Sequence, residues 1–111
     1  MQIQLNTDRN VAGREKLADH VKRVVDKALH RFRDRISRVE VHLSDEGGHQ
    51  RGQDHQRGQD HKRCMMEARI EGHQPCVVTH EAPNLDLAIE GAIDKLKRSV
   101  EHTLQRLQDR R

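Results

Sequence analysis

Two runs of basic residues in this 111-residue chain fall at helical spacing. Lys16, His20, Arg23, Lys27 and Arg31 are separated by four, three, four and four positions. At roughly 100° per residue that sets them on one flank of a helix. Lys95, Arg98, His102 and Arg106 repeat the pattern near the end of the chain, while Asp86, Glu90, Asp94 and Glu101 gather on the other flank of the same segment. Cations in such rows can follow a phosphate backbone, because each phosphate they neutralise releases counterions. The competing reading is two solvated helix faces laced with intrahelical ion pairs. Net charge does not separate the two, since 21 Lys and Arg stand against 18 Asp and Glu, a balance of +3. The distribution of charge, not its sum, points to a polyanion.

Other chemistries find less support. A tandem hexapeptide, HQRGQD followed by HQRGQD, spaces His49, His55 and His61 six residues apart. Histidine tracts can bind metal, but this spacing matches no zinc pattern and brings no cysteine. A duplication in a tolerant loop accounts for it, since loops lengthen at low free-energy cost. No metal or other cofactor is expected. Cys64 and Cys76 form no C-x-x-C and read as buried, inert thiols. Ser37, Ser44 and Ser99 lie in no nucleophile-elbow motif. The glycines cluster in the polar insertion and form no phosphate-cradling loop. The carboxylates of the last segment read as an exposed face, not a paired acid and base. Neither catalysis nor a small-molecule substrate is expected.

The elements that must position the basic rows are legible from periodicity. Residues 2–6 alternate, with Ile3 and Leu5 on one face, as a short strand. Leu17, Val21, Val24, Val25, Ala28, Leu29 and Phe32 recur as one face of a helix over about 13–34. Residues 36–44 alternate, with Val39, Val41 and Leu43 inward. Residues 45–61 hold no large apolar side chain and read as a mobile polar loop. Alternation resumes over 62–70, with Cys64, Met66, Ala68 and Ile70 inward; Met65 and Met66 read as packing residues. After a turn at 71–74, residues 75–80 return as a hairpin partner that sets Cys76 opposite Ala68, too far from Cys64 to bridge. Asn84 caps a second helix that runs to about 108 on Leu85, Ile89, Ala92, Ile93, Leu96, Val100, Leu104 and Leu107.

The order β-α-β-β-β-α describes an α+β fold: a two-layer sandwich, with a four-stranded sheet and two helices packed on one face. The first β-α-β unit calls for a crossover between parallel strands. One domain spans 1–111. Hydrophobic residues are 32% of the chain and Phe32 is the only aromatic, so the core is lean and aliphatic. No apolar run reaches the length of a membrane span, and MQIQLNTDRN has no secretory pattern. Two cysteines make no disulfide framework, so a reducing cytoplasm is expected.

The last helix carries a resemblance. NLDLAIEGAIDKLKRSVEHTLQRL over 84–107 resembles the final helix of the ribosome hibernation promoting factor and ribosome-associated inhibitor A family, most specifically in AIEGAIDKL at 88–96. MQIQL at the start, Asn10-Val11 before the first helix and Asp34-Arg35-Ile36 leading into Val39-Glu40-Val41 agree as well. The similarity covers nearly the whole chain outside 45–61, and it implies the same β-α-β-β-β-α fold. It further implies a factor that binds the small ribosomal subunit at the decoding region, contacts its rRNA through basic helix residues, and silences ribosomes under stress by occluding mRNA and tRNA. Lys95 and Arg98 carry over by motif; the first helix contributes its basic row by spacing alone. Family members carry more aromatics near the end of helix 1 than the single Phe32 here. The sequence ends soon after helix 2, without the dimerisation domain of the long family form, so a monomer away from the ribosome is expected. Two rival readings are a free double-stranded-RNA binder and a metal-responsive module using the histidine loop. The former usually has lysines at the start of its last helix, where this chain has Asn84-Leu85-Asp86.

Overall fold

The computed structural model describes residues 1–9, 11–45 and 61–109. The hexapeptide repeat and most of the polar loop, residues 46–60, lie outside the described residues, as does Asn10. The element order is β1 (Gln2–Thr7), α1 (Arg14–Leu29), β2 (Ile36–Asp45), β3 (Lys62–Ile70), β4 (Cys76–Ala82) and α2 (Leu85–Asp109). The four strands form one sheet in the order β1-β2-β3-β4. β1 runs parallel to β2, and the other neighbours are antiparallel. This is the expected α+β sandwich.

One face of the sheet is buried. Leu5, Val39, Val41, Leu43, Cys64, Met66, Ala68, Ile70 and Cys76 point into it. Val21, Val25 and Leu29 of α1 close the core from above, together with Ala88, Ile89, Ala92, Ile93, Leu96 and Val100 of α2. Alternation thus buries every second strand residue, and the 3.6-residue period buries one stripe of each helix. The opposite face is polar. There Arg38 pairs with Glu40 at 2.8 Å and Arg69 with Glu67 at 3.5 Å.

Several boundaries differ from the periodicity reading. The α-helix stops at Leu29, where φ −107° and ψ 12° leave helical geometry, and a 3-10 turn over His30–Phe32 follows. The apolar rhythm runs on through Phe32, which is why the helix reads longer in sequence. Arg33 N–H donates to the His30 carbonyl and Arg35 N–H to that of Phe32, so the chain turns tightly into β2. Ile36 and Val39 are both buried although strict alternation forbids it. A bulge between Ile36 and Arg38 resets the parity. Asp45, assigned to the loop by polarity, is the last residue of β2 and pairs with Lys62 in register and by a 3.1 Å ion pair. Pro75 stands outside β4, and the strand continues to Ala82. Met65 lies on the polar face beside His42 and Thr79, not in the core.

Three local devices fix the elements. Gly72 has φ 80°, and His73 N–H reaches the Ile70 carbonyl across the hairpin turn. Asn84 Oδ1 accepts the Leu87 N–H at 2.9 Å, the expected cap of α2. Gly91 lets α2 approach β4, because a Cβ there would overlap the His80 ring.

Candidate nucleic-acid interface

α1 and α2 lie side by side and run in the same direction. His20, early in α1, sits 3.7 Å from Asp86 at the start of α2, and Arg31, just past α1, sits 3.9 Å from Glu101 late in α2. The acidic flank of α2 therefore faces α1. Glu90 and Asp94 share that flank by helical phase and are exposed. The two basic rows do not merge into one cationic sheet; an acidic row separates them.

Position along this pattern sorts the nine basic residues expected from sequence. His20 and Arg31 are engaged with α2 carboxylates. Lys16, Arg23 and Lys27 are exposed, and no ion pair holds them among the described residues. On α2, Lys95, Arg98, His102 and Arg106 are all exposed. Lys95 Nζ donates to the Thr79 carbonyl of β4 at 2.8 Å, which tethers the ammonium near the sheet edge. Two of its three protons stay available. Arg98 Nε donates to the Asp94 carbonyl one turn back at 3.4 Å, and its terminal nitrogens have no partner among the described residues.

A cleft of about 640 Å³ opens where α1 ends against the second half of α2. Arg31, Phe32 and Arg35 form one wall, and Arg98, His102 and Leu104 belong to the other. The Arg31 guanidinium lies 4.8 Å from the centre of the Phe32 ring, a cation–π contact. Arg35 and Phe32 were missed by the helical-row argument. Arg35 follows the 3-10 turn, beyond any helix, and Phe32 reads as a core residue. The signal available was Phe32 as sole aromatic among arginines at 31, 33 and 35.

Among the described residues no three His, Cys, Asp or Glu side chains are grouped to hold a metal. His49 and His55 lie outside them; His61 is described and donates from Nε2 to the Glu81 carboxylate at 2.7 Å, which holds that carboxyl below its usual range. Both cysteines are buried and free, with Cys76 opposite Ala68 in register as the hairpin required. Burial pushes the Cys64 thiol up to about 12. No helix among the described residues is long and apolar enough to cross a membrane.

The solvent-side helices of this small α+β module present rows of exposed cations, the arrangement of a module that meets a polyanion. The chain belongs to the family described as sigma 54 modulation protein / S30EA ribosomal protein, which it matches over residues 6–108. Membership makes it a ribosome-associated protein and not an enzyme. Its fold is shared with the Thermus thermophilus Protein Y N-terminal domain, at a TM-score of 0.71 and 23% identity, over 93% of this chain and 99% of that one. A ribosomal subunit interface protein from Coxiella burnetii is similar at a TM-score of 0.59 and 17% identity, over 98% and 99%. No curated protein matches it in sequence.

Proposed function

We propose that this chain is a cytoplasmic translation inhibitor that docks on the small ribosomal subunit at the decoding region and excludes mRNA and tRNA by occupying their place. The observation that carries the reading is the exposed basic flank of α2, Lys95, Arg98, His102 and Arg106, on a chain of this family. Lys16, Arg23 and Lys27 of α1 supply a second row of cations on the solvent side. The free duplex-RNA alternative loses ground, because α2 starts with Asp86, set against His20, where such a binder needs cations.

Sedimentation of the protein with isolated small subunits at rising salt tests the proposal. Co-sedimentation is expected at low salt and loss as salt rises, since binding through phosphates is linked to counterion release. Lys95→Glu with Arg98→Glu is expected to weaken binding by more than tenfold and to lower the salt slope by about two. Glu90→Lys with Asp94→Lys is expected to preserve or tighten it. Failure to co-sediment even at low salt, or equal loss in both variants, overturns the reading.

A further inference from the structure

We infer that the cleft between the end of α1 and the second half of α2 is a nucleotide pocket: it takes a single unpaired ribonucleotide, with the base on the Arg31–Phe32 stack and the phosphate between Arg35 and Arg98. The inference deepens the proposed function, since it gives the RNA contact one specific seat in place of two rows of cations, and it rests on that reading only for the source of the strand.

Size fits first. A cavity of about 640 Å³ lies within the roughly 300–1,000 Å³ of small-ligand pockets. Charge fits next. Three arginines line the cleft against one glutamate, and that glutamate, Glu101, faces Arg31 at 3.9 Å. Arg35 is exposed and its guanidinium has no partner among the described residues. Arg98 spends one nitrogen on a backbone carbonyl and keeps its fork. Guanidinium forks match phosphate oxygens bidentately. A plain anion site would need no more than this.

The remaining lining is what calls for a base. The chain's single phenylalanine, with no Trp or Tyr elsewhere, is in the cleft, with a guanidinium laid over it. Aromatic rings and arginine planes are the surfaces on which unpaired bases stack. Leu104 adds an apolar contact, and the Gln108 amide, also at the cleft, can donate to and accept from a base edge. A base in a duplex is already stacked on both sides and cannot enter, so the pocket selects unpaired RNA.

The single phenylalanine supplies the readout. Its ring signals in the proton NMR spectrum of the whole protein are followed during titration with a single-stranded RNA hexamer, with adenosine monophosphate and with inorganic phosphate. The hexamer is expected to shift them and inorganic phosphate to leave them in place. A shift with the monophosphate as well marks a pocket that also takes free nucleotide, while a shift with the hexamer alone ties it to a strand. Arg35→Gln, at an exposed position that leaves the core untouched, and Phe32→Leu are each expected to weaken hexamer binding about tenfold, the loss typical of one stacked base or one charged contact. Unmoved ring signals with both nucleotide probes, an equal shift with inorganic phosphate, or wild-type affinity in Arg35→Gln overturns the pocket. If the hexamer result holds while the protein fails to co-sediment with small subunits, the pocket stands and the ribosomal reading falls. If co-sedimentation holds and the ring signals stay put, the pocket alone falls.

Discussion

Cys64 shows what burial does to a thiol. The thiol is fully buried on β3, and burial lifts it from 9.0 to about 12. Only the thiolate reacts, so a thiol reagent at pH 8 is expected to label Cys64 no faster than the protein unfolds. The folded pKa is raised above the unfolded one. The stability linked to this group is therefore complete below pH 9 and falls as pH climbs toward 12, by up to about 1.4 kcal/mol per pH unit. Comparing urea midpoints at pH 8 and pH 10 for wild type and Cys64→Ala checks this; the variant should lose less stability across the interval. The inert thiols were legible in the sequence because strand parity alone decides whether a cysteine faces the core. Arg35 was not, because its place depends on a 3-10 turn that no hydrophobic period encodes.

At the scale of elements, the contact between α2 and β4 depends on a missing side chain. The His80 ring occupies the space a Cβ at Gly91 would need. Gly91→Ala is expected to destabilise the protein by about 1–3 kcal/mol despite alanine's better helix propensity, the cost of overpacking. Adding His80→Ala should recover much of the loss in a denaturant melt; no recovery would place the strain elsewhere. The α2 cap predicts a smaller effect, with Asn84→Ala costing about 1 kcal/mol in the same assay. Strand β3 matched its sequence reading end to end, because a polar loop and a glycine turn bracket a clean alternation. The end of α1 did not, because Leu29 leaves helical geometry while Phe32 still packs against the core. Nor was the bulge at the start of β2 visible, since it turns on how Ile36 and Arg38 meet β3, a register no single strand records.

Across the whole molecule, the arrangement of charge follows from two helices running the same way. Each basic row was readable from one helix at a time. That the acidic flank of α2 faces α1 needed the packing, and with it His20 and Arg31 became helix-to-helix contacts as much as candidate RNA ligands. Exposed pairs of this kind contribute only about 0–1 kcal/mol, so their rearrangement on a phosphate surface costs little. The histidine repeat makes a separate prediction. Asp45 and Lys62 are already paired on either side of the connection, so deleting one HQRGQD copy should change stability by only about 0.4 kcal/mol. Zinc titration of wild type and of a chain lacking 49–60 should give the same weak uptake; uptake lost with the deletion would revive the metal-responsive reading.

Lys95 also has a bearing on solubility. The Arg14 side chain donates to the Leu5 carbonyl of β1, and Lys95 donates to the Thr79 carbonyl of β4. β1 and β4 are the two outermost strands, so each border of the sheet carries a cation on its backbone. A second chain seeking to extend the sheet must strip a charge from its hydrogen bond before it can add a strand, a known defence against edge-to-edge growth. Under the proposed docking, Lys95 divides its protons between its own strand and the RNA. Lys95→Glu therefore removes the cation from one border as well as from the α2 row, and only Arg98→Glu alone tests the proposed RNA contact with that border intact.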